Sequence, residues 1–282
     1  MQARDQVLIT AAELAGIIEA GGAVSVLDVR WRIDEPDGRA AYLDGHIPGA
    51  VYVSLEDELS DHSISGRGRH PLPSGRDVEA AARRWGIRQD APVVTYDDWN
   101  RAGSARAWWV LSAAGLQNVR ILDGGLAAWR SAGYGLEAGP VEPPTGNVTV
   151  PHGDLYAGSR PTLTAERVAE GTVTLLDARA PERYRGDVEP LDAAAGHVPA
   201  AKNLPSVAVL GADGTFLGED AVAQLLSDRG IERHDTVGAY CGSGVTATVA
   251  IAALAAMGRE AALYPGSWSE WSSDPSRPVE RG

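Results

Sequence analysis

The stretch Val26-Leu27-Asp28-Val29-Arg30 returns in the second half of the chain as Leu175-Leu176-Asp177-Ala178-Arg179, and this repeat decides the fold. Three further pairs of segments recur in the same order: 45–50 with 196–201, 93–96 with 237–240, and 123–129 with 265–271. Four matches in one order indicate an internal duplication, which predicts two similar domains. The length of 282 residues also suits two domains of ordinary size.

Within each half, short apolar runs alternate with helical patterns, which is typical of βα units around a mostly parallel sheet. The predicted fold class is therefore α/β, with two tandem domains flanked by helices. In the second half the pattern predicts strands at Val173–Leu176, Thr236–Tyr240 and Ala261–Tyr264, and helices at Ala221–Asp228 and Val245–Met257, the latter ended by Gly258. The segment 139–161 is rich in Pro and Gly and is interpreted as a linker between domains 1–138 and 162–282.

The composition narrows the classes of function. A formal net charge of −13 disfavours nucleic acid and anionic membranes as partners, because it repels phosphate. The start of the chain has no signal-peptide pattern, and no apolar run is long enough to span a bilayer. One cysteine excludes an internal disulfide, and no His/Cys cluster has metal-ligand spacing. We therefore expect a cytoplasmic protein without a metal or other cofactor.

The single cysteine, Cys241, follows a predicted strand and opens the loop Cys-Gly-Ser-Gly-Val-Thr (241–246), which leads into a helix. The carboxyl ends of parallel strands are where open α/β sheets place their ligands. Gly242 and Gly244 allow successive backbone N–H groups to converge on one point. The positive end of the following helix stabilises an anion there, whether a thiolate or a persulfide. The pattern predicts that Cys241 is a nucleophile.

Three alternatives compete with this interpretation. A lone cysteine is most often a small buried apolar residue, but such a residue needs no glycine-rich loop at a strand end. A phosphatase of the Cys-x5-Arg type requires an arginine at position 247, where this chain has Ala247. Residues 242–247 match the dinucleotide pattern G-x-G-x-x-A, but Glu260 precedes the next strand instead of ending it.

The combination of motifs resembles the two-domain rhodanese family of sulfurtransferases. The resemblance spans nearly the whole chain and is carried by four segments: Cys-Gly-Ser-Gly-Val-Thr-Ala (241–247), Gly-His-Ile-Pro-Gly-Ala (45–50), Ala-Trp-Trp (107–109) and Gly-Ser-Trp-Ser-Glu-Trp (266–271). It implies a ping-pong reaction in which thiosulfate or 3-mercaptopyruvate gives its outer sulfur to Cys241 as a persulfide. The implied acceptor is cyanide or a thiol, with a thioredoxin-like reductant among the candidates. Asp97 aligns with Cys241, so the first domain should be catalytically silent.

The resemblance also implies roles for other residues. Arg183 matches the family's donor-binding arginine, and the backbone of Gly242, Gly244, Val245 and Thr246 is expected to contact the substrate. Ser243 with His46 and Asp37 resembles the Ser-His-Asp relay proposed for mercaptopyruvate enzymes, although His46 is equally suited to a structural role in its turn.

The preferred donor is left open by two conflicting signals. Leu191 stands where mercaptopyruvate enzymes usually carry a second arginine, which argues against that donor. The uncharged pair Gly242-Ser243 argues for it, because thiosulfate-preferring relatives tend to place basic residues there. Our expectation is mercaptopyruvate. The alternative of a non-catalytic binding module is opposed by the intact cysteine loop.

Overall fold

Two parallel sheets, one in each half of the chain, form the centre of the fold in the computed structural model, which describes residues 2–282. The strands of the first sheet are β1 (Leu8–Ile9), β2 (Ser25–Asp28), β3 (Val51–Tyr52), β4 (Val93–Tyr96) and β5 (Val119–Leu122). Their order is β1-β5-β4-β2-β3, and every neighbouring pair is parallel. The α/β prediction is confirmed for this half.

The second sheet repeats this topology. Its strands are β6 (Thr174–Asp177), β7 (Lys202–Asn203), β8 (Val237–Tyr240) and β9 (Ala262–Leu263), in the parallel order β7-β6-β8-β9. A parallel bridge between Thr162 and Leu263 adds a neighbour beside β9, as β1 lies beside β5. The duplication read from the sequence therefore holds at the level of strand order.

Helices cover both faces of the sheets, which buries the central strands completely. Those of the first half are α1 (Ala3–Val7), α2 (Ala11–Glu19), α3 (Arg39–Asp44), α4 (Leu55–Glu58), α5 (Gly75–Arg84), α6 (Ala102–Ala113) and α7 (Gly125–Ser131). Those of the second half are α8 (Ala165–Ala169), α9 (Pro181–Arg185), α10 (Glu219–Ser227), α11 (Ala247–Ala256) and α12 (Ser267–Trp271). Short 3-10 helices occupy Leu155–Ala157 and Ser206–Val209.

The predicted elements of the second half lie within about two residues of the observed ones. Gly258, expected to end α11, follows it with φ +77, the left-handed conformation that favours glycine. Residues 139–154 contain neither helix nor strand, yet they are tied to the first half. The N–H of Gly146 donates to the Arg83 carbonyl at 2.8 Å, and Val148 is fully buried.

The repeat extends to side chains buried beneath each sheet edge. In the first half Arg30 pairs with Asp28 and donates to the Gly45 carbonyl at 2.6 Å. In the second half Arg179 pairs with Asp177 and donates to the Gly196 carbonyl at 2.7 Å. The repeated segments of the sequence are therefore residues that both copies of the fold need for packing.

The two halves meet through α6 and α11, which pack against each other. Every residue of α6 is buried, and so are eight of the ten residues of α11. Each helix follows the loop at the end of the central strand of its sheet, so this packing brings the first half close to the cysteine loop. Within residues 2–282, no helix has the length and apolar character needed to cross a membrane.

Candidate active site

Cys241 lies directly after β8 and is only 2% exposed. Its N–H donates to Ser267 Oγ at 3.1 Å, and its carbonyl accepts the Trp268 N–H at 3.0 Å. The carbonyl of Gly242 accepts the Ser269 N–H at 2.9 Å. The beginning of α12 therefore holds the first two residues of the loop in place.

The loop depends on glycine at position 244. Gly244 has φ +78, and a Cβ there would overlap the Pro265 carbonyl, so only glycine fits without displacing backbone. Val245 is buried, and Thr246 is the cap residue of α11. Within the described chain, none of the backbone N–H groups of 242–246 donates a hydrogen bond. They follow the cysteine at the positive end of a ten-residue helix and are free to receive an anion.

The corresponding loop of the first half holds an anion in its backbone N–H groups, and we call a loop of this kind a cradle. Asp97 Oδ1 accepts the N–H groups of Trp99 and Arg101 at 3.0 and 3.2 Å. Its Oδ2 accepts the N–H and the hydroxyl of Ser104 at 3.0 and 2.6 Å. Asp97 also forms a buried ion pair with the Arg101 guanidinium at 2.9 Å. A side-chain anion therefore fills this loop, whereas the loop after Cys241 leaves its donors free.

Ser243 contacts a histidine of the other domain. Its Oγ lies 2.7 Å from Nδ1 of His70, which belongs to the segment between α4 and α5. The other ring nitrogen, Nε2, lies 3.1 Å from Oε1 of Glu56. Glu56 also accepts the indole N–H of Trp31 at 2.6 Å. Serine, histidine and carboxylate thus form a chain that crosses the domain interface.

Electrostatics fix the proton positions in this chain. The hydrogen bond from His70 lowers the pKa of Glu56 to about 2, so its carboxylate is ionised and can only accept. Nε2 of His70 must therefore carry a hydrogen. Burial lowers the pKa of His70, so the ring is neutral at pH 7 and Nδ1 is an acceptor. The Ser243 hydroxyl accordingly donates to His70, which is the arrangement that a proton relay requires.

The relay predicted from the sequence had the wrong histidine. His46 lies in its turn, where Nδ1 is 2.9 Å from the Tyr42 carbonyl and the ring stacks on Tyr42. Its repeat partner His197 stacks on Tyr184 in the same way, so the turn explains both. Asp37 was also wrong as a relay member. Its carboxylate accepts from the Tyr52 hydroxyl and from a backbone N–H of its own turn.

Two guanidinium groups lie over Gly242. A Cβ on Gly242 would be 3.0 Å from Nη2 of Arg69 and 3.5 Å from Nη1 of Arg183. Arg183, on α9, pairs with Glu189 at 2.7 Å and with Asp192 at 3.1 Å. Arg69 forms an ion pair with Asp192 from the opposite domain. The sequence predicted Arg183 for this site but not Arg69.

A third arginine, Arg106 of α6, lies beneath the loop and is fully buried. Its guanidinium donates to the carbonyls of Leu59, His70 and Gly244, with N···O distances between 3.0 and 3.3 Å. Burial lowers its pKa to about 10, which leaves it protonated at neutral pH. Arg106 therefore joins the relay segment to the cysteine loop and brings a positive charge that acts on Cys241.

Comparison with known proteins identifies the family. The profile of the rhodanese-like domain matches the chain twice, over residues 10–132 and 161–274. The chain is a two-domain member of the rhodanese family. A protein of Mycobacterium tuberculosis (strain ATCC 25618 / H37Rv) named "Putative thiosulfate sulfurtransferase SseB" is 71% identical over 282 residues, which is 100% of this chain and 99% of that protein.

Two further relatives connect this rhodanese to mercaptopyruvate enzymes. A "Probable 3-mercaptopyruvate sulfurtransferase" of Pseudomonas aeruginosa is 43% identical and covers 98% of both chains. The crystal structure of SseA from Escherichia coli, described as a 3-mercaptopyruvate sulfotransferase, superposes with a TM-score of 0.81 at 32% identity. It covers 93% of this chain and 98% of that one. The enzyme class, sulfurtransferase, follows from these relationships.

Sequence reasoning on this rhodanese missed His70, Glu56, Arg69 and Arg106. A signal for His70 and Arg69 existed in the duplication itself. His46 recurs as His197 because both turns need it, whereas the segment 62–70 holds two histidines and two arginines that fall outside the repeated segments. Charged and titratable residues unique to one copy were the better candidates for chemistry.

Proposed function

We propose that the protein moves a sulfane sulfur from 3-mercaptopyruvate, or less readily thiosulfate, through a Cys241 persulfide to a thiol or cyanide. Residues 162–282 form the catalytic domain in this proposal. Residues 1–138 form the silent domain, which supplies His70, and 139–161 connect the two. The expected location is the cytoplasm, where a single thiol stays reduced.

The observation that carries the proposal is the contrast between the two cradles. In the silent loop a carboxylate at position 97 accepts three backbone N–H groups. In the active loop the equivalent residue is Cys241, and the backbone donors of 242–246 are free. The outer sulfur of a persulfide is an anion two bonds from Cβ, as are the oxygens of aspartate. Gly242, Gly244, Val245 and Thr246 would therefore hold that sulfur by their N–H groups.

The relay favours 3-mercaptopyruvate as the donor. The Cys241 thiolate attacks the donor sulfur, so that an S–S bond forms and the C–S bond breaks, leaving the enolate of pyruvate. The hydrogen of the donor thiol must reach the enolate carbon, and the products are pyruvate and the persulfide anion. Ser243 and His70 provide a path for that proton beside the nucleophile. Thiosulfate instead releases sulfite when its S–S bond breaks, and no proton moves.

The second half of the cycle regenerates the thiolate. Cyanide attacks the outer sulfur and leaves as thiocyanate, while a thiolate leaves as a new persulfide. A dithiol reductant of the thioredoxin type would release the sulfur as hydrogen sulfide and become a disulfide. In each case the electron pair of the S–S bond returns to Cys241, and no cofactor is required.

Intact-protein mass spectrometry tests the proposal. Wild-type protein incubated with 3-mercaptopyruvate should gain about 32 Da, one sulfur atom, and lose it again when cyanide is added. Cys241→Ser should gain nothing under the same conditions. A wild type that never gains sulfur from either donor, or a Cys241→Ser variant that does, would exclude this mechanism.

A further inference from the structure

We infer that Arg106, a residue of the silent domain, is a positioning residue that turns a backbone N–H of the cysteine loop toward the persulfide. The inference rests on the proposed function and concerns how the loop is oriented before it receives sulfur. Arg106 lies in α6, and its Nη1 donates to the Gly244 carbonyl at 3.2 Å. The side chain of Arg106 is fully buried, so this bond is shielded from solvent.

The bond to Gly244 fixes the peptide group that Gly244 shares with Val245. No peptide bond within residues 2–282 is cis, and in a trans peptide the carbonyl and the N–H point in opposite directions. Because the Gly244 carbonyl faces Arg106, the Val245 N–H points away from the guanidinium. This N–H donates to no acceptor in the described part of the chain. Arg106 therefore holds a free donor on the opposite side of the loop.

The silent loop shows what an N–H at this position binds. Counted from the ends of the central strands β4 and β8, Val245 corresponds to Arg101. The N–H of Arg101 donates to Asp97 Oδ1 at 3.2 Å. The outer sulfur of a Cys241 persulfide is two bonds from Cβ, as that oxygen is. The Val245 N–H is thus the donor that would hold the sulfur in the active loop.

The duplication indicates that the shared fold does not require an arginine here. Counted in the same way, Arg106 corresponds to Ala250 of α11, which is also fully buried. In the silent loop the Asp97 carboxylate itself accepts three backbone N–H groups and so orients them. The active loop has no side-chain carboxylate at that position, and it is the loop that the guanidinium supports. Burying a charged side chain is unfavourable, so an arginine present in one copy only serves the loop that it contacts.

The guanidinium is anchored in the first domain. Its Nη2 donates to the carbonyls of Leu59 and His70, both at 3.0 Å. Arg106 is therefore fixed on the silent domain and reaches Gly244 across the domain interface. The orientation of the loop donor depends on this contact between the domains.

A titration with sulfite measures how tightly the loop holds the sulfur. In protein loaded from thiosulfate, sulfite takes the outer sulfur, the S–S bond breaks with its electron pair on Cys241, and thiosulfate forms. No proton moves, so the relay does not contribute. At a fixed thiosulfate concentration, the sulfite concentration that discharges half of the persulfide should fall about 10- to 100-fold in Arg106→Ala, because the anion loses a hydrogen bond. Intact-protein mass spectrometry gives the fraction that still carries sulfur.

Three comparisons separate positioning from a general loss of stability. Leu14→Ala removes a fully buried side chain of α2, in a core cluster that does not contain Cys241, and should leave the sulfite midpoint unchanged. Guanidinium chloride, well below denaturing concentrations, should restore the midpoint of Arg106→Ala, whereas sodium chloride should not. Arg106→Lys keeps the charge but not the planar fork, so its midpoint should lie between those of alanine and wild type. The lysine variant also provides the test if Arg106→Ala does not fold.

The outcomes distinguish this inference from the function it rests on. A folded Arg106→Ala variant whose persulfide resists sulfite as well as that of the wild type would overturn the inference. Equal shifts in Arg106→Ala and Leu14→Ala would also overturn it, because lost stability would then explain both. In each case the wild type still forms a Cys241 persulfide. If the wild type forms none, the proposed function itself fails.

Discussion

Ser243→Ala tests the proton relay with a minimal change. The substitution removes one oxygen whose hydrogen bond, at 2.7 Å to His70, is the contact that defines the relay. One lost hydrogen bond costs about 0.5–1.5 kcal/mol of unfolding free energy, a small part of the stability of a domain. General acid–base catalysis contributes about 100- to 10,000-fold in rate, or about 3–5 kcal/mol of the barrier. The variant should therefore fold normally and lose activity.

The loss should depend on the donor. With 3-mercaptopyruvate, kcat/KM measured from pyruvate release should fall about 100- to 10,000-fold, because a proton must cross from sulfur to carbon. With thiosulfate, kcat/KM measured from thiocyanate should change less than about tenfold, because no proton moves. Circular dichroism and urea unfolding of the same preparation would establish that the fold is retained.

A matched pair of histidine variants sharpens the test. His70 and His62 both contact the Glu56 carboxylate, at 3.1 and 2.9 Å, but only His70 reaches Ser243. His70→Gln should reproduce the donor-selective loss, and His62→Gln should not. Equal losses with both donors in Ser243→Ala, or full activity with 3-mercaptopyruvate, would refute the reasoning.

Three further predictions follow from the geometry of the site. Gly244→Ala should lower the midpoint of thermal unfolding and abolish turnover, because φ +78 costs alanine about 1–3 kcal/mol and its Cβ would overlap a backbone carbonyl. In Gly242→Ala the new Cβ meets only movable guanidinium groups, so this variant should weaken turnover of the donor without lowering the midpoint. Equal melting curves for the two variants would contradict this prediction. Glu56→Gln should lower the pKa of His70 further below 6.5 in an NMR titration, because the carboxylate counteracts the effect of burial, and a rise would show that the two do not interact. Arg106→Ala should lower the free energy of unfolding in urea by about 3 kcal/mol or more, because three buried carbonyls lose the guanidinium that donates to all of them. A loss below about 1 kcal/mol would argue that Arg106 does not hold the relay segment and the cysteine loop together.

Much of the fold could be predicted because its signals are local or repeated. Val93–Tyr96 and Val237–Tyr240 are buried at both faces, as central strands of a parallel sheet must be, and the second of them was predicted as part of a strand at Thr236–Tyr240. The duplicated order of motifs then gave two domains. Positions within a few residues of one another determine these features, so one sequence suffices to read them.

The residues of the candidate site also divide into those with a local sequence signal and those without one. Cys241 and its loop are contiguous, so the sequence alone could place a thiol at a strand end and predict that it is a nucleophile. His70 is 173 positions from Ser243, and the two residues meet only in the folded protein, across the domain interface where α6 packs on α11. Those two helices are buried all round, so neither shows an amphipathic stripe that would reveal its partner. Periodicity therefore contains no information on which parts of the first domain face the cysteine.

The two domains place different groups around their corresponding loops. The Asp97 carboxylate accepts the backbone N–H groups of its own loop and pairs with Arg101, so on the proposed function that loop has no donors left for a persulfide. The same domain nevertheless extends Arg106 under the active loop and His70 against Ser243. On the proposed function, residues 162–282 alone would retain Cys241 but lack His70, Glu56 and the buried Arg106 guanidinium. Leu191, which appeared to weaken donor binding, precedes Asp192, the partner of Arg69. A guanidinium that the second domain does not carry at position 191 therefore reaches Gly242 from the first domain, so the charges around the cysteine loop depend on how the two domains dock.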